Sequence, residues 1–126
     1  MQDFRKLKVW QKSHSLVLHV YAKTATFPKT EMFGVTSQAR RAAVSIAANI
    51  AEGSARDGDR EFARFLYVSL GSASELEYFS ILIADLGLLE TVEAVKIETD
   101  AAEIKRMLTG LIGSLPIQHR NLKAEG

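Results

Sequence analysis

Cysteine is absent from the chain of 126 residues, which excludes disulfides and thiolate metal sites and fits a reducing compartment. Long apolar runs are scarce too. The charge-free stretch FLYVSLGSAS is far shorter than the roughly 20 apolar residues that span a bilayer. The start, MQDFRKLKVWQK, is charged throughout and lacks the apolar core of a signal peptide. We therefore expect a cytoplasmic protein without a membrane span.

Composition is that of a folded domain, with 47% hydrophobic and 25% charged residues. We predict one domain over residues 1–115 and a tail over 116–126, because the last eleven residues lack periodicity. The net charge of +1 is unevenly distributed: residues 1–64 carry 11 basic and 6 acidic side chains, and residues 65–126 carry 5 and 9. This polarity suits contact with a polyanion, or complementary contact between neighbouring subunits.

Apolar side chains recur with helical spacing in four segments, and no segment alternates at period two. The pattern predicts helices over about 6–27, 37–55, 60–86 and 91–115, separated by short connections. We expect side-chain caps from Thr36 or Ser37, from Asp59 and from Thr91. The predicted fold class is all-α, an antiparallel up-and-down four-helix bundle, with a more open helical array as the alternative.

Two of the predicted helices have more apolar surface than a small bundle can bury. The first has two apolar stripes, one of which holds Trp10, Val17 and Tyr21 in line with His14. The third is apolar almost all round. We therefore predict that copies of the chain associate as a homo-oligomer.

No known catalytic or metal-binding pattern is complete. In GSARDGDR, Asp59 and Arg60 occupy the positions where a phosphate-binding loop needs Lys and Ser or Thr. GSASE lies inside a predicted helix, where its small residues favour close helix packing over a nucleophile elbow. His14 and His19 are five positions apart and do not share a helix face. We predict no enzyme, no metal site and no cofactor.

A polar line crosses the alanine-rich second helix. Three interpretations stay open: a solvated face, a buried or interfacial network, and direct contact with a ligand or nucleic acid. In the network, Arg41 would meet a glutamate of the third helix, and Asn49 would meet backbone or serine hydroxyls. The residues of the proposed network are Gln38, Arg41, Ser45, Asn49, Glu52, Glu75 and Glu77.

Two basic clusters are candidates for nucleic-acid contact, because phosphates need such groups of Lys and Arg. One surrounds Trp10 near the amino terminus, and the other surrounds the turn between the second and third helices. Solvated helix ends are the alternative explanation. The candidate contacts are Arg5, Lys6, Lys8, Lys12, Arg56, Arg60 and Arg64.

Three segments, in this order, resemble one known family: LKVWQKSHSLVLHVYAKTATFP, EMFGVTSQARRAAVSIAANIAEGSAR and EFARFLYVSLGSASELE. The family is the four-helix bundle family named after the intervening sequences of 23S ribosomal RNA genes. The resemblance covers about residues 4–115, and TSQARRAAVSIAANIAEG and GSASELE are its most specific parts. Ala47 departs from it, since many members have proline there.

This resemblance implies a small bacterial cytoplasmic bundle that forms a homo-oligomer, with a ring-shaped pentamer as the associated form and no established molecular role. It also implies a distant similarity to the accessory proteins of diversity-generating retroelements, which are pentameric barrels that bind nucleic acid and a reverse transcriptase.

We expect a non-enzymatic binding or scaffold module, with RNA or DNA as the leading partner. The alternative is a structural or protein-interaction oligomer without a nucleic-acid role. A hydrolytic use of Glu75, Glu77 and Arg41 is the remaining option, and it needs a deep pocket.

Overall fold

Four α-helices and short connections make up residues 2–117, the part of the chain that a computed structural model describes. Consecutive helices run antiparallel and pack side by side, and the last returns against the first. This part of the chain contains no strand, which confirms the all-α four-helix bundle. The predicted tail lies outside the described residues from position 118 onward. The helices are α1 (Lys8–Thr24), α2 (Ser37–Ser54), α3 (Asp59–Asp85) and α4 (Thr91–Ser114).

The first helix is shorter at both ends than the periodicity predicts. A separate 3-10 turn, Phe4–Lys6, precedes it, and the side chain of Asp3 accepts the N–H of Arg5 at 3.1 Å to start that turn. At the other end the N–H of Phe27 bonds the carbonyl of Thr24 at 3.0 Å. This turn places the Phe27 ring in the core, ahead of Pro28. Tertiary burial of one aromatic ring therefore ends the helix early.

The predicted helix caps are wrong in their chemistry. Thr36 precedes α2 but makes no capping bond, and its buried hydroxyl has no hydrogen-bond partner. It ends a wide turn, Met32–Thr36, that leads directly into the helix. Asp59 and Thr91 are the first residues of their helices and do not cap them. Gly58 precedes α3 with φ of 90°, a conformation in which a side chain would be strained.

The core depends on a close approach of α2 and α3. The inner face of α2 consists largely of buried alanines, with Ile46 and Ile50 between them. Gly53 is buried where the helices meet, and a Cβ placed there would lie 2.7 Å from the Cβ of Phe65. Farther along, the hydroxyl of Ser69 donates across the interface to the carbonyl of Ile46 at 2.8 Å. Gly53 therefore belongs to a packed helix and not to a glycine-rich loop.

Contacts between α1 and α4 are fewer than between the other neighbouring helices, and ion pairs support them. The ammonium of Lys12 lies 3.3 Å from Glu103 and 3.7 Å from Asp100. Lys23 bonds Glu93 at 2.6 Å. The hydrogen bond and the positive charge of Lys23 hold the pKa of Glu93 below its usual value of 4.5.

Gly53→Ala should destabilise the bundle, because the added methyl group forces α2 and α3 apart in a packed region. Overpacking of this kind costs roughly 1–3 kcal/mol. Thermal or urea unfolding followed by circular dichroism measures the change.

The matched control is Gly110→Ala. Gly110 lies exposed in α4 with open space where a Cβ would be. Alanine is there expected to stabilise by about 0.5–1 kcal/mol through helix propensity. Equal effects of the two substitutions would contradict the close approach.

Candidate interaction surfaces

The polar line of α2 lies at its seam with α3, where part of it forms a hydrogen-bond network. The hydroxyls of Ser45 and Ser72 are 2.7 Å apart. The amide of Asn49 donates to the Ser45 carbonyl at 2.9 Å and to the Ser45 hydroxyl at 3.1 Å. An asparagine in the middle of a helix is thus satisfied by local bonds, and these bonds reach the neighbouring helix through one serine.

The charged members of the line do not join this network. Glu77 bonds Lys105 of α4 at 2.8 Å, so the structure contradicts a pairing of Glu77 with Arg41. Among residues 2–117, Arg41 and Glu75 are exposed and form no ion pair with each other or with another side chain. Glu52 bonds Arg56 on its own side of the turn at 2.8 Å.

Gln38, the remaining member, is exposed at the start of α2. Only Ser45 and Asn49 of the proposed network are therefore brought together, and Ser72 is the partner that sequence reasoning missed. The run GSASE contains Ser72, but its alignment with α2 depends on tertiary packing.

The two basic clusters meet at one end of the bundle. The amino-terminal segment reaches the end of α2, where the N–H of Gln2 bonds the carbonyl of Ser54 at 3.2 Å. Because α1 and α3 begin at this end and α2 finishes there, six of the seven candidate residues converge. These are Arg5, Lys6, Lys8, Arg56, Arg60 and Arg64.

Carboxylates divide these basic residues into paired and unpaired groups. Arg5 lies 3.4 Å from Asp3, and Arg64 lies 3.0 Å from Glu61. Lys12, the seventh candidate, faces α4 and pairs with its acids. Arg60 also has an interaction partner. Lys6 and Lys8 are the exposed candidates without an ion pair in the described chain.

Four recesses lined by residues 2–117 are open to solvent, with volumes between about 250 and 460 Å³, and none of these four gathers a set of catalytic groups. The recess beside Glu77 also contains Lys105, so that carboxylate is neutralised in place. No three metal-binding side chains cluster within residues 2–117. In the same range, no helix is both long enough and apolar enough to cross a membrane.

Large apolar side chains remain exposed on every helix and in the connection after α1. Phe33 is the extreme case, with 95% of its surface exposed in the turn before α2. In the sequence, the sign of this exposed group was a large aromatic residue in the short connection KTEMFGV. The other exposed residues are Leu18, Tyr21, Met32, Val44, Val68, Tyr78, Ile81, Leu86, Val92 and Val95.

An aromatic ladder lies near the amino-terminal end of α1. The ring of Phe4 packs edge-on against Trp10 with centroids 4.9 Å apart, and Trp10 stacks on His14 at 5.0 Å. Farther along α1, the guanidinium of Arg40 lies 4.5 Å from the centre of the Tyr21 ring and donates to Thr24 at 2.8 Å. The apolar stripe of α1 that includes His14 thus faces outward along the α2 side, while Val9, Leu16 and Val20 fill the core.

By fold and surface, the molecule is an all-α bundle with a polar network at the α2–α3 seam, a charged end and several exposed apolar patches. The sequence model of the 23S rRNA-intervening sequence protein family matches residues 5–110, and the chain belongs to that family.

A solved structure shares this architecture: a protein of unknown function from the S23 ribosomal protein family of Bacteroides thetaiotaomicron. It matches with a TM-score of 0.74 and 25% sequence identity, over 82% of this chain and 97% of that chain. No curated protein matches the chain. Neither the description of the family nor that of this relative names a catalytic activity.

The effects of Ser45→Ala and Ser72→Ala on the free energy of unfolding should not add when the two substitutions are combined. Their hydroxyls bond each other, so either single replacement already removes the bond. A double-mutant cycle is expected to give a coupling of about 0.5–1.5 kcal/mol.

Ser45→Ala combined with Ser114→Ala is the control cycle, because the Ser114 hydroxyl bonds only its own helix, to Leu111. These two effects should add within about 0.5 kcal/mol. Additive effects of Ser45→Ala and Ser72→Ala would show that the hydrogen bond between their hydroxyls does not contribute to stability.

Proposed function

We propose that the protein is a non-enzymatic, homo-oligomeric helical bundle that acts as a cytoplasmic scaffold through protein–protein contacts. The observation that carries this proposal is the exposure of large apolar side chains on all four helices. Isolated exposed apolar residues are normal on a monomer, whereas contiguous groups of them mark interaction sites.

The distribution of charge supports protein contacts over catalysis. Glu77 is neutralised by Lys105, and Glu75 is exposed and lines no described recess. General acid–base chemistry needs a carboxylate with a shifted pKa in a site that positions substrate. A scaffold needs neither, and the open recesses are consistent with that role.

Light scattering of the full chain at micromolar concentration should give a molar mass that is a multiple of 13.9 kDa. The family resemblance favours five copies. Apolar association has a negative heat-capacity change, which dilution calorimetry at several temperatures should detect. A mass of one chain over the whole concentration range would remove the proposal.

A second candidate function is binding of RNA or DNA at the charged end. The convergence of six basic residues from three parts of the chain favours it, and the sequence resemblance implies a distant similarity to retroelement accessory proteins that bind nucleic acid. Acidic neighbours oppose it, since Asp3, Glu52 and Glu61 already hold three of the arginines. Lys6 and Lys8 would then be the main phosphate contacts, and a salt-dependent affinity is the expected consequence.

For this second function, affinity for RNA and for duplex DNA should fall linearly with the logarithm of salt concentration. The double reversal Lys6→Glu and Lys8→Glu should weaken binding without changing the molar mass. Lys29→Glu is the control, because Lys29 is exposed in the connection at the opposite end of the bundle. Absence of binding at low salt would exclude a nucleic-acid role for this surface.

A further inference from the structure

Two of the exposed apolar groups lie in grooves between neighbouring helices. The first, the α1–α2 face, consists of Leu18, Tyr21 and Val44, with Trp10 and Val17 half-buried beside them. The contact of Arg40 with Tyr21 fixes the alignment of these antiparallel helices. Leu18 lies about one turn before Tyr21, and Val44 lies one turn after Arg40, so the two are about level.

The second group, the α3–α4 face, consists of Tyr78, Ile81 and Val95. The bond from Lys105 to Glu77 fixes the alignment there. Ile81 is one turn beyond Glu77 on the same side of α3. Val95 lies ten residues before Lys105 on α4, about 80° round the helix from it and farther toward solvent.

These two faces lie on opposite sides of the bundle. Each helix packs against its neighbours in chain order, and α4 closes the bundle against α1. The groove between α1 and α2 therefore points away from the groove between α3 and α4. Each copy thus has two different apolar surfaces that face in opposite directions.

The charges of the two helix pairs are opposite in sign. Helices α1 and α2 carry five basic residues and one acid: Lys8, Lys12, Lys23, Arg40 and Arg41 against Glu52. Helices α3 and α4 carry five basic residues and nine acids.

One charge beside each face lacks an ion-pair partner in the described chain. Arg40 pairs with no carboxylate, and Glu98, three residues after Val95 on the same side of α4, pairs with no cation. Arg40 instead bonds Thr24 and lies over the Tyr21 ring. An unpaired cation beside one apolar surface and an unpaired anion beside the other are the arrangement that opposite-charge docking requires.

We infer that the α1–α2 face of one copy docks on the α3–α4 face of a second copy. The inference rests on the proposed homo-oligomer and names its contact. Docking of two α1–α2 faces would bring arginines together, and docking of two α3–α4 faces would bring glutamates together, so like charges disfavour both symmetric contacts. The contact is heterologous: the two surfaces that meet differ, and each copy keeps one free surface for the next.

The residue types of the α1–α2 face fit the centre of such a contact. Trp, Tyr and Arg dominate binding energy at protein interfaces, and this face holds Trp10, Tyr21 and Arg40. Lysine, which interface centres avoid, is not among its members.

The test uses one variant for each face. Leu18→Glu with Val44→Glu places two carboxylates on the α1–α2 face. Ile81→Glu with Val95→Glu does the same on the α3–α4 face. All four side chains are at least 40% exposed, so both variants should fold, and circular dichroism checks this. Each variant alone should have the mass of one chain, 13.9 kDa. Their equimolar mixture should give twice that mass and no more, because each retains the surface that the other lacks.

Several outcomes would overturn the heterologous contact. One is wild-type mass for either variant, and another is a mixture that stays at the mass of one chain. A monomeric wild-type chain would instead reject the proposed homo-oligomer itself. Val68→Glu is the control substitution, because Val68 is exposed one turn from Ser72 on the α2 side of α3. It should leave the mass unchanged, and a reduced mass would place the contact at the α2–α3 seam instead.

Cross-linking gives an independent readout that adds no charge. Because the chain has no cysteine, Leu18→Cys and Ile81→Cys each introduce a single thiol. A short bis-maleimide should link the two proteins when they are mixed and should link neither protein to itself. Dimers from Leu18→Cys protein alone would show a symmetric contact and overturn the inference, even if the glutamate variants failed to fold.

Discussion

The bundle depends on how closely α2 approaches α3. The approach is possible because α2 presents alanines on its inner face and a glycine in its last turn, where even a methyl group would collide with Phe65. Helices that pack this closely gain dispersion contacts along their whole length, and the bond from Ser69 to the Ile46 carbonyl forms only at such a separation. The small residues of α2 therefore set the separation of the two helices.

This approach also decides where the polar and large apolar side chains lie. With alanines filling the interior of α2, its polar line falls on the seam, where Ser45 and Asn49 share bonds with each other and with α3. The larger buried side chains come mainly from α3 and α4, while several large apolar groups of α1 and α3 remain exposed on the outer grooves.

Helical periodicity was sufficient to predict the number, order and approximate bounds of the helices, because it depends on local spacing alone. It was insufficient at the helix starts, where Asp59 and Thr91 are sound caps by type but lie one residue inside their helices. The glycine at position 58, with its positive φ, sets the start of α3 instead. A turn that requires such a conformation overrides the preference of a neighbouring carboxylate.

Side-chain pairings between helices could not be predicted from helical periodicity. The partner of Glu77 is Lys105 of the next helix, and the partner of Ser45 is Ser72, in the small-residue run of α3. Both depend on the relative shift of two helices, and single-chain periodicity does not contain that shift. Nucleic-acid contact by the basic clusters stays a prediction, and the carboxylates that neutralise Arg56 and Arg64 lie within four residues of them in the sequence.

The order of the helices has a consequence for how the chain folds. Most packing joins helices that follow one another, so the sequence separations closed during folding are short and a rapid, cooperative transition is expected. The junction of α1 with α4 is different, since it joins the two ends of the fold and relies on the ion pairs of Lys12 and Lys23. That junction should close last when the chain folds and open first when it unfolds locally.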